Sequence, residues 1–159
     1  MKYFFRVIYF VFLLAPALSV ALPVDGLTDL DGQGAKLNHS KNTELVVFWA
    51  TWCPTCKEKL TGLLPKLNEE KDLAVITINT DKDADRVKHY LQKEGVRLPV
   101  LWDPSRALRK ELKAFSVPHW AVYKRAGVDK AWSLVDSAPA FEWDRVEKAI
   151  KMTSSSVGG

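Results

Sequence analysis

Cysteine is nearly absent: the 159 residues contain only Cys53 and Cys56. A pair separated by two residues closes a loop too short for much chain-entropy stabilisation, so a disulfide-stapled scaffold is excluded and the pair points to chemistry. Histidine is equally scarce. His39, His89 and His119 are scattered without ligand spacing, the four donors of a zinc site are missing, and no metal is expected. An excess of one charge is lacking too: 23 Lys and Arg against 19 Asp and Glu leave a net charge of +4. That is no concentrated basic stripe, so nucleic acid is not an expected partner. No internal repeat is visible, and the length suits one domain. With 47% hydrophobic and 26% charged residues, the composition excludes a disordered, collagen-like or multi-span membrane chain.

No acidic residue precedes Asp25. Lys2 and Arg6 form a short positive region, Val7 to Ala15 is uncharged and apolar, Pro16 breaks the run, and Ser19-Val20-Ala21 places small residues where a signal peptidase reads. Residues 1–21 therefore read as an export signal. The alternative is an uncleaved anchor over Val7 to Val24, which is near the lower length limit for a span and is interrupted by Pro16 and Pro23. Both readings put the globular part, 22–152, outside the cytosol, with a periplasmic location expected, either released or anchored. No cysteine near the cleavage site is available for a lipid anchor.

Along the rest of the chain helical and strand periods alternate. Leu27 to Asn38 reads as a short hairpin turning at Asp31-Gly32-Gln33-Gly34. Leu45 to Trp49 and Leu73 to Asn79 are continuous apolar runs suited to strands buried on both faces. Between them Leu60, Leu63, Leu64 and Leu67 make one helical stripe, with a bend expected at Pro65. Asp83 opens a second helix, with Ala84, Val87 and Leu91 on one side and Gly95 as its terminator. Pro99 to Trp102 is a short strand. Asp103-Pro104 reads as an N-cap and first helical residue, with Leu108, Leu112 and Phe115 turned inward. Trp120 to Lys124 and Lys130 to Val135, joined at Ala126-Gly127, predict an antiparallel hairpin. A last helix carries Trp143, Val146, Ala149 and Ile150, and 153–159 is a polar tail expected to be disordered. This order predicts an α/β three-layer sandwich, a mixed central sheet with helices on both faces.

The stretch WATWCPTC at 49–56 follows a buried strand and opens a helix. In that setting it resembles the active site of the thioredoxin superfamily. More narrowly it is similar to exported TlpA- and ResA-type reductases and to those serving cytochrome c maturation. The resemblance covers roughly Leu27 to Met152, and it implies a thioredoxin-like sandwich. It also maps Val117-Pro118 onto the family's cis-proline, which faces the cysteine pair and offers the backbone of the preceding residue to a substrate segment.

At the start of a helix, the free N–H groups and the positive end of the dipole favour a thiolate on Cys53, which is therefore the expected nucleophile. Cys56, one turn later and further inside, is the resolving thiol. Pro54 and Thr55 between them, Trp52 as an exposed apolar rim, and Val117 with Pro118 are the expected substrate-positioning residues. Trp49 belongs to the core. His119 has two readings, a group that tunes the thiolate or touches substrate, and a strand residue with no role.

Three positions depart from the family pattern. Val47 stands where thioredoxins carry a buried Asp six residues before the first cysteine. Lys59 stands where TlpA-type reductases carry Glu, leaving Glu58 as a candidate proton acceptor for Cys56 or as an ordinary solvated residue. Thr61 replaces the family proline, which moves any kink to Pro65.

The expected function is an exported thiol-disulfide oxidoreductase that reduces protein disulfides through Cys53 and Cys56 and needs no cofactor. Its expected partners are a protein disulfide or thiol client and a membrane electron donor of the thiol-transporting type, and a monomer is expected. A disulfide-forming oxidant is the alternative enzyme. A non-catalytic thioredoxin-fold binding module or metallochaperone is the alternative of another class, although copper-delivering relatives space their cysteines by three residues and not two.

Overall fold

The computed structural model describes residues 26–35, 40–127 and 130–152. The expected export signal at 1–21, the tail after Met152, His39 and the second arm of the Leu27 to Asn38 hairpin beyond Ala35 lie outside the described residues.

Five strands form one sheet in the order β3-β2-β1-β4-β5. They are β1 (Thr43–Trp49), β2 (Leu73–Asn79), β3 (Val100–Trp102), β4 (His119–Lys124) and β5 (Ser133–Pro139). β1, β2 and β3 run parallel, whereas β4 is antiparallel to both β1 and β5. The helices are α1 (Pro54–Glu58), α2 (Leu64–Asn68), α3 (Ala84–Glu94), α4 (Ala107–Glu111) and α5 (Trp143–Lys151).

Two apolar clusters, one on each face, make the sandwich. Leu45, Val47 and Trp49 of β1 pack with Leu60 and Leu64, Val87 of α3, Val146 and Ala149 of α5, and both cysteines. Val46 and Phe48 point the other way, into a cluster with Leu108, Leu112, Leu27 and Trp132. Alternation along one doubly buried strand thus feeds both cores. Successive parallel steps from β1 to β2 to β3 move in one direction, and right-handed crossovers keep their helices on one face. The chain then returns past β1 to reach β4, and α4 covers the opposite face.

Several local expectations hold. Asp83 caps α3 through Oδ1, which accepts from the Asp85 and Arg86 amides at 3.0 and 3.2 Å. Gly95 ends α3 at φ +64°, a left-handed conformation that glycine adopts without penalty. Others are corrected. The bend expected at Pro65 appears one turn earlier, as a π-helical turn over Lys59–Leu63 that makes Pro54 to Asn68 one continuous helical segment. Pro65 has no N–H for the Thr61 carbonyl, and the wider turn gives its ring room.

Asp103 does cap a helix, but across a longer loop than expected. α4 begins at Ala107, not at Pro104, and the Asp103 carboxylate accepts from the Ala107 and Arg109 amides, each at 3.0 Å. Phe115, expected inward, is 67% exposed. α4 stops at Glu111 and Lys113 turns left-handed at φ 51°, so the helical spacing that would bury Phe115 is broken. Of the Leu27 hairpin, the described residues show the antiparallel bridge Thr28 to Gly34, and Thr28 also pairs with Trp102 at the edge of β3. β5 starts later than expected and continues to Pro139, with an irregular register between Val122 and Tyr123.

Candidate active site

β1 ends at Trp49, and a three-residue turn carries the chain into α1. Cys53 is the N-cap of α1 in an extended conformation, with Pro54 in the first turn. Its Sγ faces the backbone N–H of Cys56 at 3.2 Å and lies 3.4 Å from the Thr55 hydroxyl. The pair is joined as a disulfide, with Cα atoms 5.3 Å apart. Cys53 is 5% and Cys56 2% exposed, so the resolving sulfur is the deeper of the two. On reduction the same N–H, the hydroxyl and the start of the helix remain aimed at Cys53, which selects it for the thiolate.

The turn is held from the side. Asp81, on the loop after β2, accepts from the Thr51 amide at 2.8 Å and the Thr51 hydroxyl at 3.0 Å. Its carboxylate also takes the Asn79 side-chain amide at 2.9 Å, and its backbone carbonyl accepts from the Trp102 indole at 2.9 Å. Thr80 donates its backbone N–H to the Trp49 carbonyl at 2.9 Å. Sequence reasoning missed this clamp. The one visible signal was Asn79, a polar residue closing an otherwise apolar run.

The other positioning candidates lie on the turn before α1, in its first residues and in the loop before β4. Trp52, next to Cys53, is 64% exposed, while Trp49 is wholly buried. Pro54 and Thr55 are exposed beside the sulfurs. The Val117-Pro118 peptide is cis, and Val117 packs against both apolar clusters, the one that holds the cysteines and the one on the opposite face. The Pro118 carbonyl accepts from the Ala140 amide at 3.0 Å, which ties this loop to the end of β5.

Two candidates fall away from the chemistry. His119 pairs with Phe48 across β1 and β4, while its neighbour Trp120 pairs with Val47. Val47 and Trp120 share the cysteine cluster and Phe48 the opposite one, so His119 lies on the far face of the sheet. It is 4% exposed, meets Phe48 edge-on and pairs through Nε2 with Ser137 Oγ at 2.9 Å. Burial pushes its imidazole below the usual pKa of 6.5. Of its two readings, the one without a role in the thiol chemistry stands.

Glu58, the candidate proton acceptor, has a side chain 73% exposed that is held by Lys59 at 3.1 Å. Residues two apart on a helix do not share a face, so the structure does not bring this carboxylate to Cys56. Lys57 instead pairs with Glu94 at 2.8 Å and links α1 to α3. The position where thioredoxins carry Asp is Val47, fully within the apolar cluster.

The redoxin family matches residues 14–128, well over half of the chain. The chain belongs to the redoxin family. This redoxin is 29% identical over 86 residues to the thiol-disulfide oxidoreductase ResA of Bacillus thuringiensis, covering 52% of this chain and 49% of ResA. It is 25% identical over 111 residues to the thioredoxin-like protein YneN of Bacillus subtilis, covering 67% of this chain and 65% of YneN. The redoxin thus spans about half the length of ResA and somewhat more of YneN. Its fold is shared with the exposed lipoprotein thioredoxin Etrx1 of Streptococcus pneumoniae, at a TM-score of 0.58 and 24% identity over 79% of this chain and 97% of that one. The thioredoxin-like sandwich and the TlpA/ResA resemblance are thereby borne out for this redoxin.

Proposed function

We propose that this redoxin is an exported thiol-disulfide oxidoreductase that reduces protein disulfides. The observation that carries the reading is a redox-active cysteine pair at a helix N-terminus, with Cys53 facing an N–H and a hydroxyl and Cys56 behind it. In the reduced protein, the Cys53 thiolate attacks one sulfur of a client disulfide, forming a mixed disulfide and releasing the other client sulfur as a thiolate, which takes up a proton. Cys56 then loses its proton to solvent and attacks Cys53 Sγ, breaking the mixed disulfide and releasing the second client sulfur as a thiolate that takes up a proton. The client leaves as a dithiol and Cys53–Cys56 becomes the disulfide seen in the structure. Two electrons pass from the pair to the client. In this reading the backbone of Val117, a half-buried residue, and the exposed Trp52 next to Cys53 receive the client segment.

The export grammar of residues 1–21 supports work in the periplasm, released or anchored. An oxidising compartment has no bulk dithiol supply, so the cycle calls for a membrane donor of the thiol-transporting type to return two electrons to Cys53–Cys56. Trapping tests the reading. Cys56→Ser is expected to accumulate a mixed disulfide with client while Cys53→Ser accumulates none, read by mass spectrometry of non-reduced adducts. Equal trapping by both variants refutes the assignment of roles.

A further inference from the structure

Three loops meet at the carboxyl ends of the parallel strands: the 50–52 turn before Cys53, the 80–83 loop after β2 and the 103–106 loop after β3. Open α/β sheets leave their crevices at such ends. Here two adjoining pockets make up a groove: both are lined by Asp81, Lys82, Arg106 and Arg109, one adding Trp52, Asp83 and Arg86 and the other Asp103. Four cations against three carboxylates is nearly balanced by count. The groups differ in what they are free to do.

Each of the acids is engaged by groups of the protein itself: Asp103 is buried, Asp81 is half-buried, and Asp83, although exposed, is taken up by helix amides. Asp81 holds Thr51 and Asn79. Asp83 caps α3 and Asp103 caps α4, so both carboxylates sit against helix N-termini that offset their charge. The cations are not so engaged. Lys82, Arg86 and Arg106 are exposed, and among the described residues their side chains enter no ion pair and no side-chain hydrogen bond. Only Arg109 is committed, donating to the Ala114 and Phe115 carbonyls at 2.8 and 2.9 Å. At the end nearest the disulfide the groove finishes on Trp52, the residue before Cys53.

We propose that this groove docks an acidic segment next to the reactive disulfide of the client protein. Client carboxylates meet Lys82, Arg86 and Arg106, the apolar residue beside the client cysteine covers Trp52, and the client sulfur reaches Cys53. Guanidinium forks match carboxylates in geometry as well as charge. Single exposed pairs are weak, so selection arises from the summed field and acts mainly on encounter. The proposal rests on the oxidoreductase reading and adds the chemistry of the client to it.

The test uses the reduced full-length protein and two synthetic peptides with the same disulfide loop, one flanked by Glu and one by Lys. Rates are normalised to those for the small neutral hydroxyethyl disulfide. The Glu-flanked peptide is expected to be reduced about tenfold faster at low salt, a preference that shrinks as salt rises. The triple variant Lys82→Glu, Arg86→Glu, Arg106→Glu should invert it, and the milder pair Lys82→Gln, Arg86→Gln should reduce it should the triple variant fold poorly. Equal normalised rates for the two peptides, or an acidic preference that survives both variants, overturn the groove and leave the redox reading standing. No reduction of any of the three disulfides overturns the redox reading, and the groove with it.

Discussion

Asp81 grips Thr51 twice, through the backbone amide at 2.8 Å and the side-chain hydroxyl at 3.0 Å, across 30 residues of sequence. Because Cys53 lies two residues past Thr51, this clamp sets where the nucleophile's turn sits relative to β2 and β3. Asp81→Ala strips acceptors from Thr51 and Asn79 together, and a part-buried donor left unsatisfied costs about 1–3 kcal/mol. A lower melting temperature is expected, together with a shifted reduction potential of Cys53–Cys56. Asp81→Asn, which keeps one acceptor oxygen, should recover part of both. An unchanged potential in Asp81→Ala would reduce the residue to a structural role.

Trp52 is exposed beside the sulfurs, so its truncation separates recognition from folding. Trp52→Ala should leave stability within about 0.5 kcal/mol, as surface substitutions do. Its rate on a protein disulfide should fall by about fivefold or more, the scale of an aromatic contact residue. Thermal melts beside insulin reduction read both quantities. Equal loss with hydroxyethyl disulfide would point to the cysteines and not to client contact.

Buried His119 links stability to pH without touching the thiols. Its folded pKa is lowered by desolvation from 6.5, so as pH falls below that value the unfolded state takes the proton first. Stability present above about pH 6.5 is therefore lost progressively as pH falls toward the folded pKa. His119→Gln can keep a hydrogen bond to Ser137 and cannot titrate in this range. Its melting temperature should fall less between pH 8 and pH 5 than that of the wild type, and an identical fall would rule His119 out as the source.

The direction of electron flow is open to measurement in cells. If the protein reduces its clients, Cys53–Cys56 should be mostly reduced at steady state, with a potential well below the oxidant range of about −120 mV. Alkylation of acid-quenched cells reads the fraction directly. A mostly oxidised pair whose loss prevents disulfide formation elsewhere would assign the oxidant role instead.

Features that rest on local chemistry were legible in the chain alone. The short cysteine spacing marked the site, Asp83 and Gly95 marked the limits of α3, and the Leu60 to Leu67 stripe marked the buried face of the helical segment. Each depends on groups within a few residues, where helix geometry and capping act. The face on which His119 lies came from the fold, because one residue of strand register moves a side chain to the other side of the sheet. The fold alone exposed Phe115, through a left-handed Lys113 that no periodicity reveals. It also joined Asp81 to Thr51 and brought Lys82, Arg86 and Arg106 into one groove. These are meetings of separate loops at the ends of parallel strands, fixed by strand order and crossover handedness and not by sequence neighbours.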